Sequence, residues 1–149
     1  MVIQRATRSD LSGVIALLER CGLLLDGATD ALDTMIVARD ANAVIGVAAV
    51  ELYADGALLR SVAVAPEFRS QGVGAHLVDQ ALAMAERAGV ATVFLLTNTA
   101  ATFFPRFGFE RIPRDQVPQS VQQSVEFVST CCASAVVMRK TVAGRAART

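Results

Sequence analysis

The chain is short of the features that announce most ligand classes. Its 14 Lys and Arg are matched by 14 Asp and Glu, and the basic residues gather only in a short tail around Arg139, Lys140, Arg145 and Arg148. A nucleic-acid groove built on phosphate neutralisation is therefore not expected. No apolar run reaches the roughly 18 residues of a membrane span, and Met1-Val2-Ile3-Gln4-Arg5 opens without a signal-peptide pattern. The expectation is a soluble, cytoplasmic protein with neither nucleic acid nor membrane as a partner. Cysteine is scarce too: Cys131 and Cys132 are adjacent and Cys21 is distant, which fits neither a disulfide framework nor a zinc spacing, and no metal is expected. What is present is apolar content, 53% hydrophobic against 19% charged residues over 149 positions, enough for one sizeable core and hardly two. Residues 1–141 are read as a single domain and 142–149 as a flexible tail.

Along the chain, Met1 to Ala6 alternates weakly. Ser9 or Asp10 can then cap a helix carrying Leu11, Val14, Ile15 and Leu18 at helical spacing and stopping at Gly22. Asp33–Arg39 and Val44–Tyr53 read as strands, and Ala54-Asp55-Gly56 turns the chain into a third, Ala57–Ala65, completing an antiparallel meander. After Pro66, a helical pattern with Leu77, Val78, Ala81, Leu82 and Ala85 on one face runs to Gly89, followed by the apolar strand Val90–Thr97. Residues 57 to 97 thus form a strand–helix–strand crossover with a buried parallel pairing. A helix over Ala100–Arg106, a strand at Phe109–Pro113, a short helix around Val121–Val128 and a final strand at Ala133–Lys140 complete the reading.

The most informative segment is the turn Gln71-Gly72-Val73-Gly74-Ala75, between a strand and a long helix. Missing side chains let successive backbone N–H groups approach a ligand, and the helix turns its positive end to the same point. Such a turn suits a diphosphate, or serves only as a tight turn whose glycines satisfy backbone angles. It is not a P-loop, which needs Gly-Lys-Ser/Thr, nor a dinucleotide fingerprint, which needs a third glycine.

Val62-Ala63-Val64-Ala65-Pro66-Glu67-Phe68-Arg69-Ser70-Gln71-Gly72-Val73-Gly74 resembles the acetyl-CoA signature of the GCN5-related N-acetyltransferases (GNAT). A second landmark of that family, a helix leading into Gly-Phe, is matched by Ala100-Ala101-Thr102-Phe103-Phe104-Pro105-Arg106-Phe107-Gly108-Phe109. The resemblance implies an α/β (α+β) fold with a mixed, mostly antiparallel central sheet splayed at its centre and helices on both faces. It implies acetyl-CoA as co-substrate, with Val62, Val64, Arg69, Gln71, Gly72, Val73, Gly74, Ala75, Asn98 and Phe104 at the cofactor and the backbone of Val62 and Val64 pairing with the pantetheine amides. Within the family the sequence is most similar to the arsenic-resistance-associated N-acetyltransferases, then to the acetyltransferase module of N-acetylglutamate synthases. The marks are Leu58-Leu59-Arg60-Ser61, Leu95-Leu96-Thr97, Ser124-Val125-Glu126-Phe127 and Cys131-Cys132-Ala133-Ser134-Ala135. It departs from the glutamate-synthase pattern at Leu58, usually acidic, and Thr99, usually Arg, and from the arsenic-associated pattern at Cys132, usually Pro.

Acetyl transfer requires the amine to lose a proton and the leaving thiolate to gain one. Where many family members carry a Tyr for the second task, this chain has Phe104. The only tyrosine is Tyr53, at the far end of a hairpin strand, so solvent is the expected proton source. Glu51 and Glu126 are the candidate bases, each also readable as an ordinary polar surface residue, with His76 a weaker third. Arg60 falls by strand alternation on an otherwise apolar face and wants an anionic partner, either a substrate carboxylate, arsenate-like or phosphinate-like group or an internal salt bridge. Ser61, Thr97 and Cys131 join it as candidate acceptor contacts. Cys131 and Cys132 lack a neighbouring His or Lys to activate a thiol and otherwise read as packing. The expected activity is acetylation of a small amine, an amino-bearing arsenical or phosphinic amino acid among the candidates. Alternatives are an amino-acid acetyltransferase of the glutamate-synthase type, a non-catalytic acyl-CoA or arsenical binder, or a partner of a larger enzyme. The chain can form a homodimer, and an obligate one through apolar strand edges would support the last reading. The long, polar insert Arg114–Thr130 is expected to cover the acceptor side and to be pinned by Phe127.

Overall fold

A computed structural model describes residues 1–128 and 134–142. Seven strands pair in the order β1-β2-β3-β4-β5-β7-β6, a mixed and mostly antiparallel sheet of the class expected. The strands are β1 (Val2–Arg5), β2 (Met35–Asp40), β3 (Ala43–Tyr53), β4 (Gly56–Val64), β5 (Thr92–Thr97), β6 (Glu110–Ile112) and β7 (Val136–Thr141). Among the described residues four α-helices accompany them: α1 (Leu11–Arg20), α2 (Val73–Arg87), and the one-turn helices α3 (Gln119–Gln122) and α4 (Val125–Val128). No helix among the described residues is long and apolar enough to cross a membrane. The chain gathers into two compact units, Met1–Val50 with Arg60–Ala81, and Glu51–Leu59 with Leu82–Thr149.

In the first unit β1 pairs antiparallel with β2 from Val2↔Arg39 to Arg5↔Ile36, and β2 with β3 from Met35↔Ala49 to Asp40↔Ala43. Consecutive Met, Ile, Val and Ala residues of β2 and β3 are buried, the continuous apolar pattern of strands covered on both faces, and α1 lays Val14, Leu17 and Leu18 into the core. α2 comes close because position 46 is glycine: a Cβ there would stand 2.7 Å from Leu77 Cδ1. The start of α1 differs from expectation. A 3-10 turn, Arg8–Asp10, precedes it, and Asp10 reaches backward, its Oδ2 accepting the Thr7 N–H at 2.8 Å. Asp10 also receives Arg39 Nε at 3.1 Å and Nη2 at 2.5 Å. Desolvation pushes the Asp10 carboxyl up, but the Thr7 N–H, the Arg39 guanidinium and the Thr7 hydroxyl outweigh it and hold it below the ordinary value.

In the second unit β4 runs parallel to β5, as the crossover pattern implied, through the pairs Ala57↔Val93 and Leu58↔Phe94. β5 pairs antiparallel with β7 along its whole length, Thr92↔Thr141 to Thr97↔Val136, and β7 with β6. The core holds Leu58, Phe94, Val117, Val121 and Val137, with Tyr53, Leu96, Ile112 and Phe127 packed on it. Three expectations need correction here. The helix over Ala100–Arg106 is a turn followed by a 3-10 segment, Phe104–Phe107, because Pro105 removes an N–H that a regular helix would use. The insert forms two single-turn helices instead of one, and Val117 and Val121 join Phe127, which packs on the cluster as expected, in pinning it. Val142, expected in the tail, is 8% exposed, and its N–H is bonded to the Ala91 carbonyl at 2.8 Å. The rest of the tail lies outside the described residues, as does Ala133, the expected start of the last strand.

Candidate functional site

The first unit carries the glycine turn as a continuous strand-to-helix passage. β4 ends at Val64, a 3-10 turn spans Pro66–Phe68, and α2 begins at Val73. Between them Ser70 and Gly72 adopt left-handed backbone, φ +68° and +82°, and turn the chain sharply into the helix. The Gly72 carbonyl accepts the His76 N–H at 3.1 Å. The N–H groups of Val73, Gly74 and Ala75 therefore belong to the first helical turn, which has no preceding turn of carbonyls to bond. A Cβ placed on Gly72 would meet nothing within 4 Å, so the backbone is open to an incoming group. Gly74 lies within the helix, and its contribution is the missing side chain.

The electrostatics at this turn favour an anion. Fifteen residues of α2 point their positive end at it, and the exposed Arg69 adds a full charge. Its Nε–H donates to the Val64 carbonyl at 3.1 Å, and Nη2 lies 3.5 Å from Cys21 Sγ. The one carboxylate nearby in sequence, Glu67, is bridged to Arg20 at 2.8 Å. The hydrogen bond from Arg20 leads the effects that hold its carboxyl below the usual range. Val62 and Val64 are half-buried on the strand that feeds the turn, while Arg69 and Gln71 are exposed. His76 is exposed on α2.

Arg60 is 3% exposed. Its Nη2 donates to the carbonyls of Asp26 at 2.7 Å and Leu24 at 3.3 Å, and its Nε to Ser61 Oγ at 3.1 Å. The guanidinium thus ties the loop after α1 to β4. Ser61 has φ +59°, a conformation that costs a residue with a Cβ about 1–2 kcal/mol. A left-handed residue inside a strand breaks the period of two, so alternation across Ser61 does not relate Arg60 to Val62 and Val64 as the sequence led us to expect.

In the second unit the Tyr53 hydroxyl donates to Glu51 Oε1 at 2.5 Å. Sequence reasoning left Tyr53 aside, although the i, i+2 spacing on one strand was the available signal. Glu126 is 8% exposed in α4, and its N–H is bonded to Ser124 Oγ at 3.2 Å. Thr97 Oγ1 accepts the Ala100 N–H at 2.9 Å and fixes the turn after β5, in which Asn98 is exposed. Phe104 is buried, edge-on to Phe103 and Phe109. Cys131 and Cys132 lie outside the described residues.

The profile of the acetyltransferase (GNAT) domain family matches residues 31–111. The amino-acid acetyltransferase of Escherichia coli K12 is 30% identical over 131 residues, covering 81% of this chain and 29% of that protein. The chain thus spans less than a third of that relative's length. An uncharacterized N-acetyltransferase of Chlorobaculum tepidum is 40% identical over 79 residues, 52% of this chain and 50% of the relative. Among solved structures, N-acetylglutamate synthase of Neisseria gonorrhoeae complexed with coenzyme A and N-acetyl-glutamate superposes with a TM-score of 0.82 at 21% identity, covering 95% of this chain and 35% of that one. Rv2747 of Mycobacterium tuberculosis, in complex with CoA and a second ligand, superposes at 0.80 with 25% identity, covering 95% and 99%.

Proposed function

Because the chain belongs to the acetyltransferase (GNAT) domain family, we propose that it is an acetyl-CoA-dependent N-acetyltransferase whose acceptor is a small amine of the amino-acid class. The observation that carries the proposal is the open turn Arg69–Ala75, where left-handed Gly72 presents backbone beside the N-terminus of α2. In this reading the N–H groups of Val73, Gly74 and Ala75, with Arg69, hold the diphosphate of coenzyme A, and the strand end Val62–Val64 lies along its pantetheine arm. Bound acetyl-CoA supplies an acyl group activated as a thioester. The protein's part is to orient it beside the acceptor and to take a proton from the acceptor's ammonium, so that the neutral amine attacks the thioester carbon and the thiolate leaves.

Glu51 is our first choice for that proton acceptor, and Glu126 the second. A carboxylate is a modest base, and its contribution is to hold the amine unprotonated at the moment of attack. With Phe104 packed into an aromatic cluster, the departing thiolate takes its proton from solvent or from the acceptor itself, at low cost because a thiolate is a stable leaving group. Amino-acid acceptors are supported by the E. coli relative's activity and by the acetylated amino acid in the gonococcal complex. Arsenical and phosphinic amino acids share the α-amino carboxylate and remain in the proposed class on the Ser124–Phe127 segment.

The test is release of free thiol from acetyl-CoA across a panel: L-glutamate, L-glutamine and other L-amino acids, a phosphinic and an arsenical amino acid, and simple alkylamines. Turnover confined to carboxylate-bearing amines is expected. Thiol release with none of the panel, together with tight acetyl-CoA binding, would instead identify a non-catalytic acyl-CoA binder.

A further inference from the structure

One bond within β3 and three contacts from the end of that strand and its turn to the insert lie together in the second unit. Glu51 and Tyr53 share one face of the strand, and the phenol donates to the carboxylate at 2.5 Å. The Tyr53 ring packs on the core cluster to which the insert contributes Val117 and Val121. In the turn that follows, the Asp55 N–H donates to Ser120 Oγ at 3.3 Å, and the Ser120 hydroxyl donates back to Asp55 Oδ2 at 3.0 Å. Ser120 and Val121 are neighbours on α3. The insert therefore grips the segment 51–55 twice, by an apolar hold on Tyr53 and a reciprocal polar hold on Asp55.

We propose that Tyr53 is a positioning residue for the Glu51 carboxylate and that the insert, through α3, holds the phenol on it. A Glu carboxylate on a half-buried strand face, as Glu51 is, can take several rotamers. A charge-assisted bond from a ring that is itself packed selects one of them. The consequence for catalysis rests on the reading of Glu51 as the base. The structural coupling does not, and a segment that contacts an acceptor can thereby set the geometry of the group that takes the acceptor's proton.

The chain offers a direct reporter, since it contains one tyrosine and no tryptophan, so its near-ultraviolet emission comes from Tyr53. A phenol bonded to a carboxylate is quenched by proton transfer in the excited state. Emission is compared, without any ligand, for wild type, Glu51→Gln, Ser120→Ala and the double variant. Glu51→Gln is expected to brighten Tyr53, Ser120→Ala to brighten it in part, and Ser120→Ala to add nothing in the Glu51→Gln background, because the two changes act on one bond. Unchanged emission in Glu51→Gln overturns the proposal, as does an unchanged Ser120→Ala or an effect of Ser120→Ala that persists in the double variant. Thiol release by Glu51→Gln with the acceptor panel above reports separately on the base. Full turnover there would remove Glu51 from the chemistry while leaving the emission result to decide the coupling.

Discussion

Arg69 donates its Nε–H to the carbonyl of Val64 at 3.1 Å, so the loop entering α2 is tied back to the last residue of β4. One side chain thus holds the shape of the turn and places a positive charge beside the helix N-terminus. Arg69→Ala should weaken acetyl-CoA binding about tenfold, or roughly 1.4 kcal/mol, while the ligand-free protein keeps its stability to within about 0.5 kcal/mol, as exposed positions do. Arg69→Lys should fall between, retaining charge without the planar fork. Calorimetric titration with acetyl-CoA measures both, and wild-type affinity in Arg69→Ala would separate this arginine from the cofactor.

A second expectation follows from the different roles of the two glycines. At Gly72 the backbone is left-handed, φ +82°, so Gly72→Asp combines strain with a like charge against a diphosphate. At Gly74, inside the first turn of α2, an aspartate is welcome to the helix dipole, and Gly74→Asp should fold at least as well as wild type. Acetyl-CoA at a hundredfold over its dissociation constant should add about 2.7 kcal/mol to wild-type stability and nearly nothing to either variant. A thermal shift retained in Gly74→Asp would move the diphosphate elsewhere.

Much of this was legible in the sequence, and what was not has physical reasons. Strand-length apolar runs parted by turn residues led to the meander, and the strand–helix–strand crossover to the parallel pair Leu58↔Phe94, since both depend on short-range pattern. The turn at Gly72 was legible because glycine takes left-handed backbone at no steric cost. The bonds from Arg60 to the carbonyls of Leu24 and Asp26 were not, because these are backbone atoms more than thirty residues away and any residue type would present them. Ser61 escaped for the opposite reason, being a left-handed residue that nothing in its side chain advertises. Pro105, by contrast, was visible and underweighted against the helical run of Ala and Phe around it.

The stability of the first unit should depend on pH through Asp10. Its carboxyl is held below the ordinary value despite burial, so its contribution is complete above about pH 4, the ordinary aspartate range. It is lost as pH falls through the lower folded value. Asp10→Asn should cost about 1–2 kcal/mol at neutral pH by weakening charge-assisted bonds to Arg39 and Thr7. That difference should shrink below pH 4 as the wild-type carboxylate takes up a proton. Urea unfolding at several pH values reads it directly, and a difference independent of pH would assign Asp10 a purely steric role.

The last expectation concerns the insert, which the sequence suggests is a cover over the acceptor and which the structure builds into the core. Val121 is 0% exposed and Val117 3%, packed with Leu58, Phe94 and Val137. A detachable lid would tolerate truncation of either, because its apolar groups would meet water in one state or the other. A core element would not. Val121→Ala removes two methyl groups from a closed cluster and should cost about 2 kcal/mol, transfer and cavity terms together, against less than about 0.5 kcal/mol for a mobile surface excursion. Shortening the whole segment to a tight turn should then unfold this unit, so point changes are the sharper instrument. The denaturant midpoint of Val121→Ala should fall with an unchanged slope. The increment that acetyl-CoA adds to stability should stay at its wild-type value, since the diphosphate turn belongs to the other unit. A midpoint equal to wild type would restore the insert to the role of a lid.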